Sequence, residues 1–330
     1  MSRSYDVHGM CLNVEAESEE LHRAVESLLG PFAGPCACER PFSLDLRYGV
    51  PPVADVPPPG MRKFWEGVLP AGSYLRTYTS DSARELHVPG RARMRIDLAG
   101  RRAAAIVRPG EEACLPDGCL VAVLCEFLAQ SGQYVLHAAC LAAGPDGRRR
   151  AALVSGRSGT GKTTTALALA GEGMDLVTDD ASFLALPDGG AAGRPLVWGL
   201  PRPAKVHRRT LELLPWLGDF ERSGAAGDEF LVSCDPLKPD DPLEEVAPAL
   251  VLLLGPRNPR THTVRELDGV EVLARLVDEN VRALDQRGSG PAGQAFGALA
   301  ALVRTTPAWS LSVGPRLDGR RQIIEPLMSD

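Results

Sequence analysis

The chain has 330 residues, 44% of them apolar and 24% charged, enough for two domains or for one large α/β domain with an appendage. Its formal net charge of −6 gives a nucleic-acid partner no support from bulk electrostatics. No apolar run approaches the length of a membrane span, and the N-terminus turns acidic where a secretion signal needs its apolar core, so neither membrane nor export is expected and a cytoplasmic location is.

In chain order, Leu21 to Leu29 has helical periodicity and stops at Gly30-Pro31, and Phe42 to Tyr48 alternates like a half-buried strand. Residues 51–60 (PPVADVPPPG) read as an extended proline-rich connector. Residues 73–79 and 85–88 read as short strands, and Ala92 to Leu98 with Arg102 to Val107 as a hairpin turning at Ala99-Gly100. Residues 1–115 are therefore expected to form a small, β-rich α+β module.

A helix is expected from about Asp117 to Gln130, then a buried strand from Tyr134 to Ala142 and a turn at Gly144 to Gly147. Ala151 to Val154 and Met174 to Thr178 read as strands around a helix at Thr164 to Ala170, and Ser182 to Leu186 as a further strand. Residues 188–193 and 218–229 read as loops, with a short apolar stretch at Leu196 to Trp198 and a helix fragment at Leu211 to Trp216. Ala249 to Leu254 is a buried strand, Val270 to Ala283 an amphipathic helix, 286–293 a Gly-rich loop, Ala295 to Val303 a helix and Ser310 to Val313 a closing strand. Residues 116–330 are thus expected to be one α/β domain. The eight cysteines include no C-x-x-C pair, and the Cys36/Cys38 C-x-C lacks a second ligand pair, so reduced thiols are expected rather than a zinc site.

The chemistry is concentrated between Gly156 and Thr163, where the spacing is G-x-x-x-x-G-K-T between a strand and a helix. Gly156, Gly159 and Gly161 let the backbone approach phosphate oxygens, and the helix N-terminus points at the same place. Gly156, Arg157, Ser158, Gly159, Thr160, Gly161, Lys162, Thr163 and Thr164 are the expected nucleotide-binding residues, Lys162 on the β/γ-phosphates and Thr163 on Mg²⁺. Seventeen and eighteen residues after Lys162 come Asp179 and Asp180, at a strand end. Adjacent carboxylates there point in opposite directions, so one can serve the metal and the other an incoming hydroxyl.

The stretch VSGRSGTGKTTTALALAGEGMDLVTDDASFL resembles the catalytic core of bacterial HPr kinase/phosphorylase and its HprK-related relatives. In that family a G-x-S-G-x-G-K-[ST] loop is followed at this spacing by an A-D-D or similar strand end, and a His precedes the loop, as His137 does in VLHAAC. ATP-utilising phosphoenolpyruvate carboxykinases are similar over the same short core. The resemblance covers about residues 134–186 by motif and about 196–315 in layout only. It implies a P-loop kinase core of mixed sheet and flanking helices, with ATP and Mg²⁺ as cofactors. It also implies Asp180 as proton acceptor, Asp179 beside the metal, and His137 and Lys162 beside the transferred phosphoryl group.

Two departures are visible. The family's later metal-site glutamate has no counterpart at Trp198-Gly199-Leu200-Pro201, and its R-P-G-R-N stretch is matched only loosely by Gly255 to Arg260. Arg202, Lys205, Arg257 and Arg260 are the candidate substrate-binding groups, although a basic run such as 202–209 serves equally as a solvated face. The resemblance favours transfer to a Ser or Thr hydroxyl of a small protein or ribosomal precursor peptide and leaves a homo-oligomer open. A small-molecule kinase acting, for example, on free serine, and a nucleotide-dependent switch without transfer are the alternatives.

Overall fold

The computed structural model describes residues 2–52, 56–69, 72–145, 148–186, 193–220, 222–224, 227–241, 243–280, 291–316 and 318–328. They form two compact units, Met1–Ser131 and Gly132–Asp330. The division falls after the helix near 120–130 rather than at 115/116. The reason is packing: Phe127 of that helix stacks on Phe42 at 4.4 Å, and Glu126 pairs with Arg84 at 3.0 Å.

The first unit is one eight-stranded sheet with two helices. Its elements are β1 (Ser2–Val7), β2 (Met10–Ala16), α1 (Glu19–Leu29), β3 (Phe42–Tyr48), β4 (Arg62–Val68), β5 (Tyr74–Thr79), β6 (Ala83–Val88), β7 (Ala92–Asp97), β8 (Arg102–Val107) and α2 (Leu120–Ala129). The sheet order is β1-β2-β3-β8-β7-β6-β5-β4. The β2–β3 and β3–β8 pairs are parallel, the first joined by the α1 crossover. Ser18 caps α1, its hydroxyl accepting from the Leu21 N–H.

Three strands here go beyond the sequence reading. β1 and β2 form a hairpin through His8 and Gly9, both with positive φ (50° and 80°). That is the two-residue turn that matches strand twist, but His-Gly is a weak signal for it compared with Asn-Gly. β4 is an edge strand whose register shifts between Lys63 and Trp65, and this erases the apolar alternation a strand would show. Part of the proline-rich connector, residues 53–55, lies outside the described residues. The expected helix from 117 begins at Leu120, after a wide helical turn over Leu115–Cys119.

The second unit carries a larger mixed sheet. Its elements are β9 (Gln133–Ala143), β10 (Arg150–Ser155), α3 (Lys162–Gly171), β11 (Asp175–Thr178), β12 (Ala181–Ala185), β13 (Leu196–Gly199), β14 (Ala204–His207), α4 (Arg208–Leu213), β15 (Arg222–Gly224), β16 (Glu229–Val232), β17 (Ala247–Leu254), β18 (Thr263–Glu266), α5 (Gly269–Asn280), α6 (Pro291–Thr305), β19 (Ala308–Ser312) and α7 (Arg320–Ile324). The sheet runs β13-β12-β9-β10-β17-β19-β18, and β11 also pairs with β9. β10, β17 and β19 are parallel, and β9 is antiparallel to β10, β11 and β12.

α3 is apolar nearly all round because it is covered on more than one side. Leu167 and Leu169 share one core with Val154 and Leu252 of the sheet, Val206 and Val232 of the small β14-β16-β15 sheet, and Ile324 of α7. The small sheet occupies part of the segment read as the 218–229 loop and of the basic stretch before it. Residues 187–192 and 281–290 lie outside the described residues, as do parts of the two loops expected there, while 291–293 belong to α6 instead of a loop. Among the described residues no helix is long and apolar enough to cross a membrane.

Candidate functional site

β10 ends at Ser155, the chain leaves the sheet at Gly156, and α3 begins at Lys162. Gly156 is needed where it stands, because a Cβ there would meet Thr160 Oγ1 at 2.9 Å and Leu254 Cβ at 3.1 Å. Gly159 and Gly161 have φ of 79° and 100°, a backbone that L side chains adopt only with strain. Thr160 Oγ1 donates to the Arg157 carbonyl at 2.7 Å and closes the loop on itself. Arg157, Ser158 and Gly159 are exposed at its tip. The result is a strand–loop–helix turn with an exposed tip at the start of a helix, an arrangement suited to an anionic ligand.

The register of the sheet places the other reactive groups beside this loop. β9 lies between β10 and β12, with Ala138 opposite Ser155 and His137 opposite Ala181. His137 is therefore next to the strand end that feeds the loop and next to the residue that follows Asp180. Lys162 Nζ donates to the Gly156 carbonyl at 2.8 Å and lies 2.9 Å from His137 Nε2. His137 Nδ1 is 2.9 Å from Asp180 Oδ1. Asp180, His137 and Lys162 thus form one continuous row, and Arg202 Nη2 reaches Asp180 Oδ2 at 3.5 Å.

The charge states follow from the surroundings. Burial alone would raise the Asp180 carboxyl. The His137 hydrogen bond and the charges of His137, Arg202 and Lys162 outweigh it and hold the group at about 2. An ionised Asp180 can only accept, so in the neutral ring His137 Nδ1 carries the proton and Nε2 accepts from the Lys162 ammonium. Burial lowers the Lys162 ammonium below its ordinary value, opposed by the charges of Asp180, Glu279 and Asp179.

Asp179 points the other way. It is 5% exposed, and burial, with the Asp180 charge added, raises it to about 6, while Arg202 pulls it down. The pair therefore splits into an ionised carboxylate facing the row and a buried one that resists ionisation.

This split has a measurable consequence. Because Asp179 titrates higher folded than unfolded, its contribution to stability falls as pH rises from about 4 to about 6 and stays lost above that. Asp180 behaves oppositely, its contribution being lost as pH falls from about 4 to about 2. Asp179→Asn is expected to stabilise the nucleotide-free protein at pH 7.5 by about 2 kcal/mol, seen as a Tm several degrees higher. A Tm that stays the same or falls would contradict this assignment.

The remaining residues expected from sequence divide. Thr163 lies in the first turn of α3, half-buried, whereas the Thr164 hydroxyl is turned toward Thr210 Oγ1 at 2.9 Å. Lys205 pairs with Glu229 at 3.0 Å. Arg257 and Arg260 are exposed on the loop after β17, and no hydrogen bond or ion pair of the described residues joins them to the row. So, of the four candidate substrate cations, Arg202 puts its charge beside the aspartates, and Lys205 reaches Asp179 through its backbone N–H only.

Three residues beyond the sequence reading do reach the site: Ser155, Glu279 and Asn280. Ser155 Oγ donates to Glu279 Oε2 at 2.8 Å, and Asn280 Oδ1 accepts from the His137 backbone N–H at 2.6 Å. Among the described residues no group of three or more His, Cys, Asp or Glu is placed to hold a metal by itself. A Mg²⁺ that keeps most of its waters and binds through phosphate oxygens needs only one or two protein oxygens, so it requires no such group.

No family model and no curated protein matches the chain. Among solved structures, the Hpr(Ser) kinase/phosphatase from Coxiella burnetii is 16% identical, with a TM-score of 0.29, over 58% of this chain and 87% of its own. So slight a likeness carries no argument about function.

Proposed function

We propose that this chain is an ATP- and Mg²⁺-dependent kinase that transfers the γ-phosphoryl group to a Ser or Thr hydroxyl of a small protein or precursor peptide. The observation that carries the reading is the Asp180–His137–Lys162 row at the foot of the G-x-x-x-x-G-K-T loop. Phosphate binding alone requires the loop and the lysine. An ionised carboxylate locked to a histidine beside them is the added group that a hydroxyl acceptor requires.

MgATP, when bound, supplies the phosphoryl group and the divalent charge that offsets its oxygens. Residues 156–164 would hold it through backbone N–H groups, with Thr163 and Asp179 toward the metal, and the fit rests on the glycine geometry of the loop and on an Asp179 short of cationic neighbours. Lys162, now spent on the Gly156 carbonyl and His137, turns its ammonium to the phosphates. His137 keeps Asp180 oriented through Oδ1, which leaves Oδ2, beside Arg202, to meet the acceptor. The acceptor oxygen bonds to the γ-phosphorus as the bond to the β,γ-bridging oxygen breaks, and its proton passes to Asp180. An aspartate held low suffices for this, since in a loose transition state the hydroxyl gives up its proton late.

The test is ADP release from MgATP measured with and without an acceptor. Release that depends on a Ser/Thr peptide supports the proposal. Release that depends on free serine alone would assign a small-molecule kinase. Nucleotide bound without acceptor-dependent release would assign a switch.

A further inference from the structure

The last three described residues of α5 each meet a different part of the site. Asp278 Oδ2 takes the Arg157 guanidinium at 3.4 Å, at the tip of the loop. Glu279 takes the Ser155 hydroxyl at 2.8 Å, where the strand hands over to the loop. Asn280 takes the His137 backbone N–H at 2.6 Å. These contacts bridge 121, 124 and 143 residues of sequence.

Asn280 has no freedom to turn. It is buried, and its Nδ2 donates to the Leu276 carbonyl at 2.8 Å, so only one amide orientation satisfies both partners. Its position also matters. The β9–β10 ladder ends at the Ala138–Ser155 pair, because the chain leaves the sheet at Gly156. Beyond that pair the ladder gives His137 no partner on the phosphate loop. Ser155 Oγ reaches the His137 carbonyl at 3.3 Å, and the last described turn of α5 holds both residues, His137 through Asn280 and Ser155 through Glu279.

We infer that Glu279 and Asn280 are positioning residues, which fix His137, and through it Asp180, relative to the phosphate loop. The inference rests on the kinase reading. It adds that the last described turn of α5 sets the rate of transfer through the placement of His137 and Ser155 and contributes little to nucleotide affinity. A misplacement of about 1 Å is enough to lower a rate by about 10²-fold, so loss of one such contact is expected to cost about 10- to 100-fold.

The experiment compares the full-length wild type with Asn280→Ala, Glu279→Ala and Glu279→Gln. It reads kcat for peptide-dependent ADP release, MgATP affinity by direct titration, and hydrogen exchange at the His137 amide. Asn280→Ala is expected to lose protection of that amide and to lower kcat about 30-fold, with MgATP affinity within about threefold. Glu279 is only partly buried, so its variants spare the core. Glu279→Ala is expected to lower kcat about tenfold, and Glu279→Gln, which can still bond Ser155, to recover most of it. Unchanged kcat in both alanine variants would overturn the inference, as would a loss of nucleotide affinity equal to the loss of kcat. A wild type that transfers to no peptide overturns the kinase reading itself, and wild-type transfer with unaffected variants overturns only the clamp.

Discussion

Replacing Asp180 with Asn lowers phosphoryl transfer about 10³-fold while nucleotide affinity stays the same or improves slightly; that is the expected result of losing only the proton acceptor. The substitution is nearly isosteric. An asparagine Oδ1 still accepts from His137 Nδ1, so the tautomer of the ring and the Lys162 contact survive. What disappears is a negative charge beside Lys162 and Arg202, and a negative charge there opposes the phosphates of a bound nucleotide. The fall must therefore appear in kcat, with MgATP affinity unchanged or up to about threefold tighter. A variant that keeps its kcat would remove Asp180 from the chemistry. One that loses nucleotide binding would make the carboxylate part of the nucleotide site instead.

Lys162→Ala should fail in both respects. Lys162 is 8% exposed, and its ammonium makes two hydrogen bonds inside the site, to the Gly156 carbonyl and to His137. Those two acceptors lose their donor, and the phosphates lose the loop cation beside His137, the other, Arg157, being paired with Asp278 at the exposed tip. Nucleotide binding is expected to weaken on the order of 10- to 100-fold, the worth of one charge-assisted hydrogen bond, and kcat to fall by about a further 10³-fold. Lys162→Arg should not rescue it, since a planar guanidinium cannot occupy the slot between a carbonyl and an imidazole as a compact ammonium does. Titration with MgATP and acceptor-dependent turnover separate the two losses. Transfer retained in either variant would contradict the assigned role.

How much of this could be read from the chain depended on how locally each feature was written. The turn from β10 into α3 was legible because eight contiguous residues carry both its glycine geometry and its charge. The opposite orientations of Asp179 and Asp180 were legible from strand alternation, and the structure does bury one and open the other. His137 was singled out by resemblance alone, since nothing in VLHAAC by itself distinguishes a site histidine from a core one. The structure places its ring between Asp180 and Lys162.

Asn280 and Glu279 were not legible. They lie inside the helix expected over Val270 to Ala283, in a polar Asp-Glu-Asn stretch that matches no motif, and their partners lie more than a hundred residues away. Arg257 and Arg260 were singled out by a loose match to the family's R-P-G-R-N stretch, and sequence alone cannot say which cations reach the aspartates; in the structure the guanidinium that does is Arg202. In the first unit, β1 and β2 escaped notice because their turn uses His8 in a left-handed conformation that the sequence gives no reason to expect.

The most direct test of the central claim is the intact mass of an acceptor after incubation with the protein and MgATP. Candidate Ser/Thr peptides, a small acceptor protein and free serine should be offered separately. Gain of one phosphoryl group by a peptide or protein, absent with Lys162→Ala and Asp180→Asn, is the predicted result. An unmodified peptide and protein acceptor set, with MgATP bound and wild type and Asp180→Asn indistinguishable, would contradict it.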